Sequence, residues 1–172
     1  MDQGGILWLD LSHDCGWAYG LRDAAMPLTG VWPFNRHLDV GPVLAAFESM
    51  GLVLAIKRYR PSLVGIEAAL PPKVQSSTHS AELLIGMAGV TAKVCHQVGI
   101  RFVRRSVSQV RAQVIGRCQR TNAEIASGID VKTAIVLPWI AAQGWPPMNH
   151  NSADAAVGWS FEAGRRFNRR IL

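Results

Sequence analysis

Ile6-Leu7-Trp8-Leu9-Asp10-Leu11-Ser12 is the stretch on which the reading of this chain turns. It is a short apolar run that ends on an acid, and Gly16-Trp17-Ala18 follows it. The run reads as a buried strand. An acid at the end of a buried strand is costly unless something pairs with it, and a metal ion is the usual remedy. Two more acids stand in suggestive places. Glu67 closes Leu63-Val64-Gly65-Ile66-Glu67, a second apolar run, and Asp154 lies within His150-Asn151-Ser152-Ala153-Asp154-Ala155-Ala156.

Around the opening strand the pattern predicts a hairpin. Ser12-His13-Asp14 is a turn cluster, Cys15 to Leu21 a second strand, and Leu28 to Phe34 a third, with Pro33 tolerated at an edge. Asp39 is placed to cap a helix whose apolar stripe is Val43, Leu44, Phe47, Met50, Leu54 and Tyr59, with Gly51 weakening its middle and Pro61 ending it. Leu63 to Glu67 is apolar on both faces, as a parallel strand under helices must be. A polar loop with Pro71 and Pro72 leads to a helix from Ser80 to Val98, rich in small residues that let the sheet or a second subunit approach closely, and Gly99 stops it. Ile100 to Arg104 is a fifth strand and Ser106 to Gly116 a short helix with Val107, Val110 and Val114 inward. Arg117 to Gly128 reads as a loop. Asp130 caps a helix from Val131 to Gln143 that Pro138 should kink, and a last helix starts near Asn151 or Ser152 and runs toward Phe167.

Three strands, then alternating helices and strands, imply an α/β fold: a five-stranded mixed sheet flanked by helices, in one domain over residues 1–172. Right-handed crossovers put the fourth strand beside the first, so Asp10 and Glu67 end side by side. The last helix can lay Asp154 over the same spot.

Bulk properties agree. Apolar residues are 49% and charged residues 17%, the balance of a globular chain. Lys and Arg outnumber Asp and Glu by 18 to 12, a formal charge of +6 that favours a polyanionic partner, nucleic acid before membrane. Cys15, Cys95 and Cys118 are odd in number and widely spaced, against a disulfide framework or zinc knuckle and in keeping with a reducing cytoplasm. The N-terminus lacks the basic region of a signal peptide. No uninterrupted apolar run reaches a membrane span, the longest candidate being Thr133 to Ala142, so no membrane partner is expected.

Carboxylates gathered at one spot must share protons or bind cations. Hard divalent ions prefer oxygen ligands, and two of them about 4 Å apart can drive phosphodiester hydrolysis. A basic protein with such an acidic spot is a nuclease candidate. The motifs also resemble a family. Leu9-Asp10-Leu11-Ser12 with Gly16-Trp17-Ala18, then Gly65-Ile66-Glu67, then Ala153-Asp154-Ala155-Ala156 resemble the RuvC-like Holliday junction resolvases of the RNase H-like superfamily. Ser80-Ala81 through Gly89-Val90, and Val107 to Gly116, resemble its central helix and following segment. The likeness covers nearly the whole chain, and the compact form looks more like phage-encoded members.

The resemblance implies a homodimeric, magnesium-dependent endonuclease, with manganese able to replace magnesium, that holds two ions per site and cuts four-way junctions and other branched DNA. It implies that Asp10, Glu67 and Asp154 are the catalytic metal ligands and that the helix from Ser80 lies near the dimer interface. The implied location is the cytoplasm, that of the host if the chain is phage-encoded. One position departs: where the family has a fourth ligand, Asp or His, this chain has neutral Asn151, with His150 beside it. Asn can ligate through its carbonyl, and His150 is the substitute.

Arg101, Arg104, Arg105, Arg111, Arg117, Arg120 and Lys132 cluster between the fifth strand and the next helix. Of these, Arg104, Arg105, Arg111, Arg117 and Lys132 are the DNA-contact candidates, Arg111 and Lys132 by resemblance to basic residues near the DNA. Arg165, Arg166, Arg169 and Arg170 read as a solvated basic end, Trp8, Trp17 and Trp159 as core, and the loop with Leu70, Pro71, Pro72, Gln75 and His79 as a candidate wedge at a junction. Two other classes compete with the nuclease: a non-catalytic RNase H-like DNA-binding protein, and an actin-like ATP-binding domain, for which the chain is short and lacks further phosphate motifs.

Overall fold

A computed structural model of the chain describes residues 4–68 and 78–165. The strands are β1 (Ile6–Asp10), β2 (Asp14–Gly20), β3 (Leu28–Pro33), β4 (Leu63–Glu67) and β5 (Arg101–Arg105). They form one sheet in the order β3-β2-β1-β4-β5. The first three run as an antiparallel meander, while β4 and β5 are parallel to β1. The mixed sheet expected from the sequence is the one the chain builds, with the fourth strand beside the first. Among the described residues the helices are α1 (Val40–Tyr59), α2 (Thr78–Gln97), α3 (Val107–Val114), α4 (Asn122–Ala126), α5 (Lys132–Ala142) and α6 (His150–Glu162).

Side chains alternate across a strand, and this divides the molecule into two cores. Leu7 and Leu9 point to one face, with Val43, Phe47 and Leu52 of α1 and Leu83 and Met87 of α2. Ile6 and Trp8 point to the other, with Val110 and Val114 of α3, Ile135 of α5, and Ala153, Ala156 and Trp159 of α6. Each fully buried large side chain contributes about 1.5–3 kcal/mol. Asp10 is two residues beyond Trp8 and so continues the α6 face. On β4, Leu63 shares that face, and Gly65 and Glu67 follow it at the same period. The register pairs Leu9 with Ile66, so Asp10 and Glu67 are the next residues along their strands.

Two glycines let α6 lie close. A Cβ at Gly16 would stand 2.1 Å from the Asn151 carbonyl oxygen, and one at Gly158 would stand 2.0 Å from Trp8 Nε1. Trp159 Nε1 donates to the Gly20 carbonyl at 3.1 Å, which ties α6 to β2.

Several elements differ from the sequence expectation. In α1 the stripe breaks at a π-helical segment, Phe47–Leu52. Each wide turn holds an extra residue and shifts the phase of the helix. Leu52, Ala55 and Ile56 therefore face the core, while Met50 and Leu54 are 70% and 55% exposed. Gly51 sits against Trp32. Asp39 occupies the cap position but makes no capping hydrogen bond with its side chain. By length and composition alone α1 is also long and apolar enough to cross a membrane. Counting uninterrupted apolar residues misses this because Glu48 and Ser49 break the run; in this fold α1 lies along the sheet.

The segment read as a loop after Arg117 contains α4, started by a capping box in which Thr121 and Glu124 bond each other's backbone. Asp130 does cap α5, its Oδ1 accepting from the Lys132 and Thr133 amides. A π-helical segment, Lys132–Val136, precedes Pro138. Pro138 has no N–H to give the Ala134 carbonyl, and Arg117 Nη2 donates to it instead at 2.8 Å. The last helix starts one residue before Asn151, at His150, with Asn149 as its cap, and ends at Glu162 rather than near Phe167. Arg165 is no loose end: it donates to the Ala24 and Ala25 carbonyls and lies over Trp145 and Trp159. Arg166, Arg169, Arg170 and the proposed wedge at Leu70 to Gln75 lie outside the described residues. Trp8 and Trp159 are fully buried and Trp17 half-buried. Cys15 and Cys95 are buried and Cys118 is half-exposed.

Candidate active site

The carboxyl ends of β1 and β4 and the first turns of α6 meet at one place. Asn149 Oδ1 accepts from the Asn151 amide at 2.8 Å and sets the start of α6. That places Asn151 over the β1–β2 turn, where its Nδ2 donates to the Asp14 carbonyl at 2.6 Å. Asp154, one turn further in, is 2% exposed.

Two cations stand among the acids. Arg111 of α3 donates from Nη2 to Asp154 Oδ1 at 2.9 Å, in an ion pair buried on both sides. Lys132 of α5 donates from Nζ to Asp10 Oδ2 at 3.1 Å and to Asn151 Oδ1 at 3.0 Å. The same Nζ is 2.8 Å from Asp154 Oδ2, an ion pair whose angle falls short of a hydrogen bond. Burial works against charge on Lys132, but the carboxylate charges of Asp10 and Asp154, with the hydrogen bond to Asp10, outweigh it and raise its pKa.

The acids respond to the same crowding. Burial raises Asp10 to about 6, with Lys132 opposing and Asp154 adding to the rise. Burial also raises Glu67 to about 8, helped by the charges of Asp10 and Asp154 and opposed by Arg111 and Lys132. Glu67 has no hydrogen-bond or ion-pair partner among the described residues. Asp10 thus senses Asp154, and Glu67 senses both. Even so, among the described residues no three Asp, Glu, His or Cys side chains stand close enough to share an ion as they are, and Lys132 lies between Asp10 and Asp154. The donor set nevertheless fits a hard divalent cation. It consists of carboxylate oxygens, Glu67 is unpaired, and Asp154 Oδ2 is buried without a hydrogen bond.

The other candidates divide. His150 is exposed on the first turn of α6 and, among the described residues, makes no hydrogen bond or ion pair with the three acids. Asn151 is in the site, with its carbonyl oxygen turned to Lys132 rather than free. Arg104 is exposed and lies over the Phe102 ring, with no carboxylate partner among the described residues. Arg105 is held inside by Glu162 at 2.7 Å. Arg117 makes two bonds to Glu124 at 2.9 and 3.0 Å. Arg111 faces the acids. Of the five basic residues expected at DNA, three have internal partners and Lys132 is in the acidic cluster. His79 belongs to the first turn of α2, not to a loop, and stacks on His13 of the β1–β2 turn with ring centres 5.8 Å apart. Asn149 is the positioning residue that sequence reasoning missed; an Asn before a polar first turn was its signal.

No family model and no curated protein matches the sequence. Solved structures do match. RuvC from Thermus thermophilus superposes with a TM-score of 0.64 at 13% identity, over 94% of this chain and 98% of its own. T. thermophilus RuvC in complex with a Holliday junction substrate gives 0.66 at 13% identity, over 94% of each chain. The yeast mitochondrial Holliday junction resolvase Ydc2 gives 0.54 at 7% identity, over 94% of this chain and 81% of its own. The five-stranded mixed sheet with its flanking helices is therefore the RuvC, RNase H-like fold.

Proposed function

We propose that the chain is a divalent-metal-dependent endonuclease that cuts branched DNA, four-way junctions above all, as a homodimer. The observation that carries this reading is the meeting of Asp10, Glu67 and Asp154 at the carboxyl ends of β1 and β4, where the charge of Asp154 raises Asp10 and the charges of both raise Glu67. The fold shared with a RuvC in complex with a Holliday junction substrate and with a mitochondrial Holliday junction resolvase supports it.

Asp10, Glu67 and Asp154 would hold magnesium, or manganese in its place. The bound metal would supply the positive charge that activates water and stabilises the leaving oxygen in phosphodiester hydrolysis. The chain's own groups prepare the site. Arg111 keeps the Asp154 carboxylate oriented and compensated inside the protein. Lys132 holds Asp10 and Asp154 together and offsets their charge inside the site. Arg104, exposed at the end of β5, is free to track the DNA backbone.

The test is cleavage of a synthetic four-way junction and of a linear duplex, with magnesium or manganese and with EDTA. The wild type should cut the junction only with metal and leave the duplex intact, and Asp10→Asn should abolish cutting. Sedimentation should find two copies on each junction. A wild type inert with both metals, or an Asp10→Asn variant that cuts equally well, would overturn the reading.

A further inference from the structure

The place of Lys132 raises a question about how many ions this site takes. An ammonium has three N–H donors. Around Lys132 Nζ stand three oxygens, Asp154 Oδ2 at 2.8 Å, Asn151 Oδ1 at 3.0 Å and Asp10 Oδ2 at 3.1 Å. One belongs to β1 and two to α6, so the ammonium sits where a cation shared by β1 and α6 would sit.

We propose that Lys132 is a resident cation that holds the place of a second divalent ion, so that the site binds one ion per chain. The inference rests on the reading that these acids bind divalent metal, and changes its stoichiometry.

Three observations carry it. The first is the neutral corner. Asn151 is fixed by its Nδ2 bond to the Asp14 carbonyl, which turns its carbonyl oxygen toward Lys132. A neutral oxygen completes the shell of an ammonium and is a weak corner for a divalent ion. The second is anchoring. The Lys132 amide bonds Asp130 Oδ1 at 2.9 Å at the start of α5, so the side chain leaves a fixed backbone. The third is charge. Asp10, Glu67 and Asp154 against Arg111 and Lys132 leave one formal negative charge. One divalent ion and one phosphodiester bring that to zero, whereas a second ion would leave the buried site with two uncompensated positive charges. A magnesium ion in the same shell would need oxygens at about 2.0–2.1 Å, so it and the ammonium exclude each other.

Manganese is the probe, counted by calorimetry and by electron paramagnetic resonance on the full chain without DNA, up to millimolar concentration. The wild type should take one Mn2+ per chain with the six-line spectrum of an isolated ion. Lys132→Met should take two, about 4 Å apart, with an exchange-coupled spectrum, and Lys132→Gln should do the same if the Met variant fails to fold. Lys132→Arg, which keeps the charge, should remain at one. A wild type that takes two ions, or Met and Gln variants that still take one, overturns the inference and leaves the metal reading standing. If wild type and variants bind no more Mn2+ than Asp10→Asn/Glu67→Gln/Asp154→Asn, the metal reading itself fails and the inference with it.

Discussion

Arg111 shows what the acidic cluster demands of its neighbours. Its guanidinium and the Asp154 carboxylate are both buried, so removing one leaves an uncompensated charge in the interior. Arg111→Met should destabilise the protein by about 3–5 kcal/mol in urea unfolding, and magnesium should restore part of the loss by neutralising Asp154. Glu67 gives a pH signature. Its folded pKa, about 8, lies above the ordinary value of 4.5, so the native state holds this proton more tightly than the unfolded chain. Stability from that proton is complete below about pH 4.5 and is lost as pH rises toward 8. In EDTA, Glu67→Gln should match the wild type in melting temperature near pH 4.5 and exceed it at pH 8. The acids were legible because two of them end apolar strands. Arg111 was legible too, since it shares the inward face with Val107, Val110 and Val114, but its charge suggested a surface role. The Lys132 shell was not legible, because its oxygens come from elements more than a hundred residues apart.

The helices show where local pattern stops being informative. The stripe of α1 was read with a constant period, and the π-helical segment breaks that constancy, so Met50 and Leu54 end outside. Helix α4 escaped notice because five residues carry no apolar period, although Thr121 and Glu124 stood at capping-box spacing. The close approach of α6 to β2 yields a sharper prediction. At Gly16 an added methyl meets backbone, which cannot swing aside, at 2.1 Å. Gly16→Ala should shift the first turn of α6 and cost at least about 1–3 kcal/mol in thermal unfolding, with junction cutting lost. Gly89 in α2 is the control. A Cβ there meets nothing within 4 Å, so Gly89→Ala should stabilise the helix by about 0.5–1 kcal/mol and leave the site alone.

For the molecule as a whole, strand order was the easiest property to read. Three β runs before the first helix and alternation afterwards leave few arrangements, and right-handed crossover selects the one observed. The DNA-facing surface was the hardest, because a formal charge of +6 does not say which cations are free. The structure separates Arg104, without a carboxylate partner among the described residues, from Arg105, paired with Glu162. Arg104→Ala should lower the slope of log binding constant against log salt on junction DNA by about 1. Arg105→Ala should leave the slope unchanged and lower the melting temperature. The three cysteines offer a practical route to such titrations. The Cys15 thiol is buried and held well above its ordinary pKa, and burial brings Cys95 to about 11, so both resist alkylation. Cys118 is half-exposed, next to the Arg117 that docks on α5. A maleimide dye should therefore attach once per chain at Cys118, giving the native sequence a built-in optical reporter beside the helix that carries Lys132.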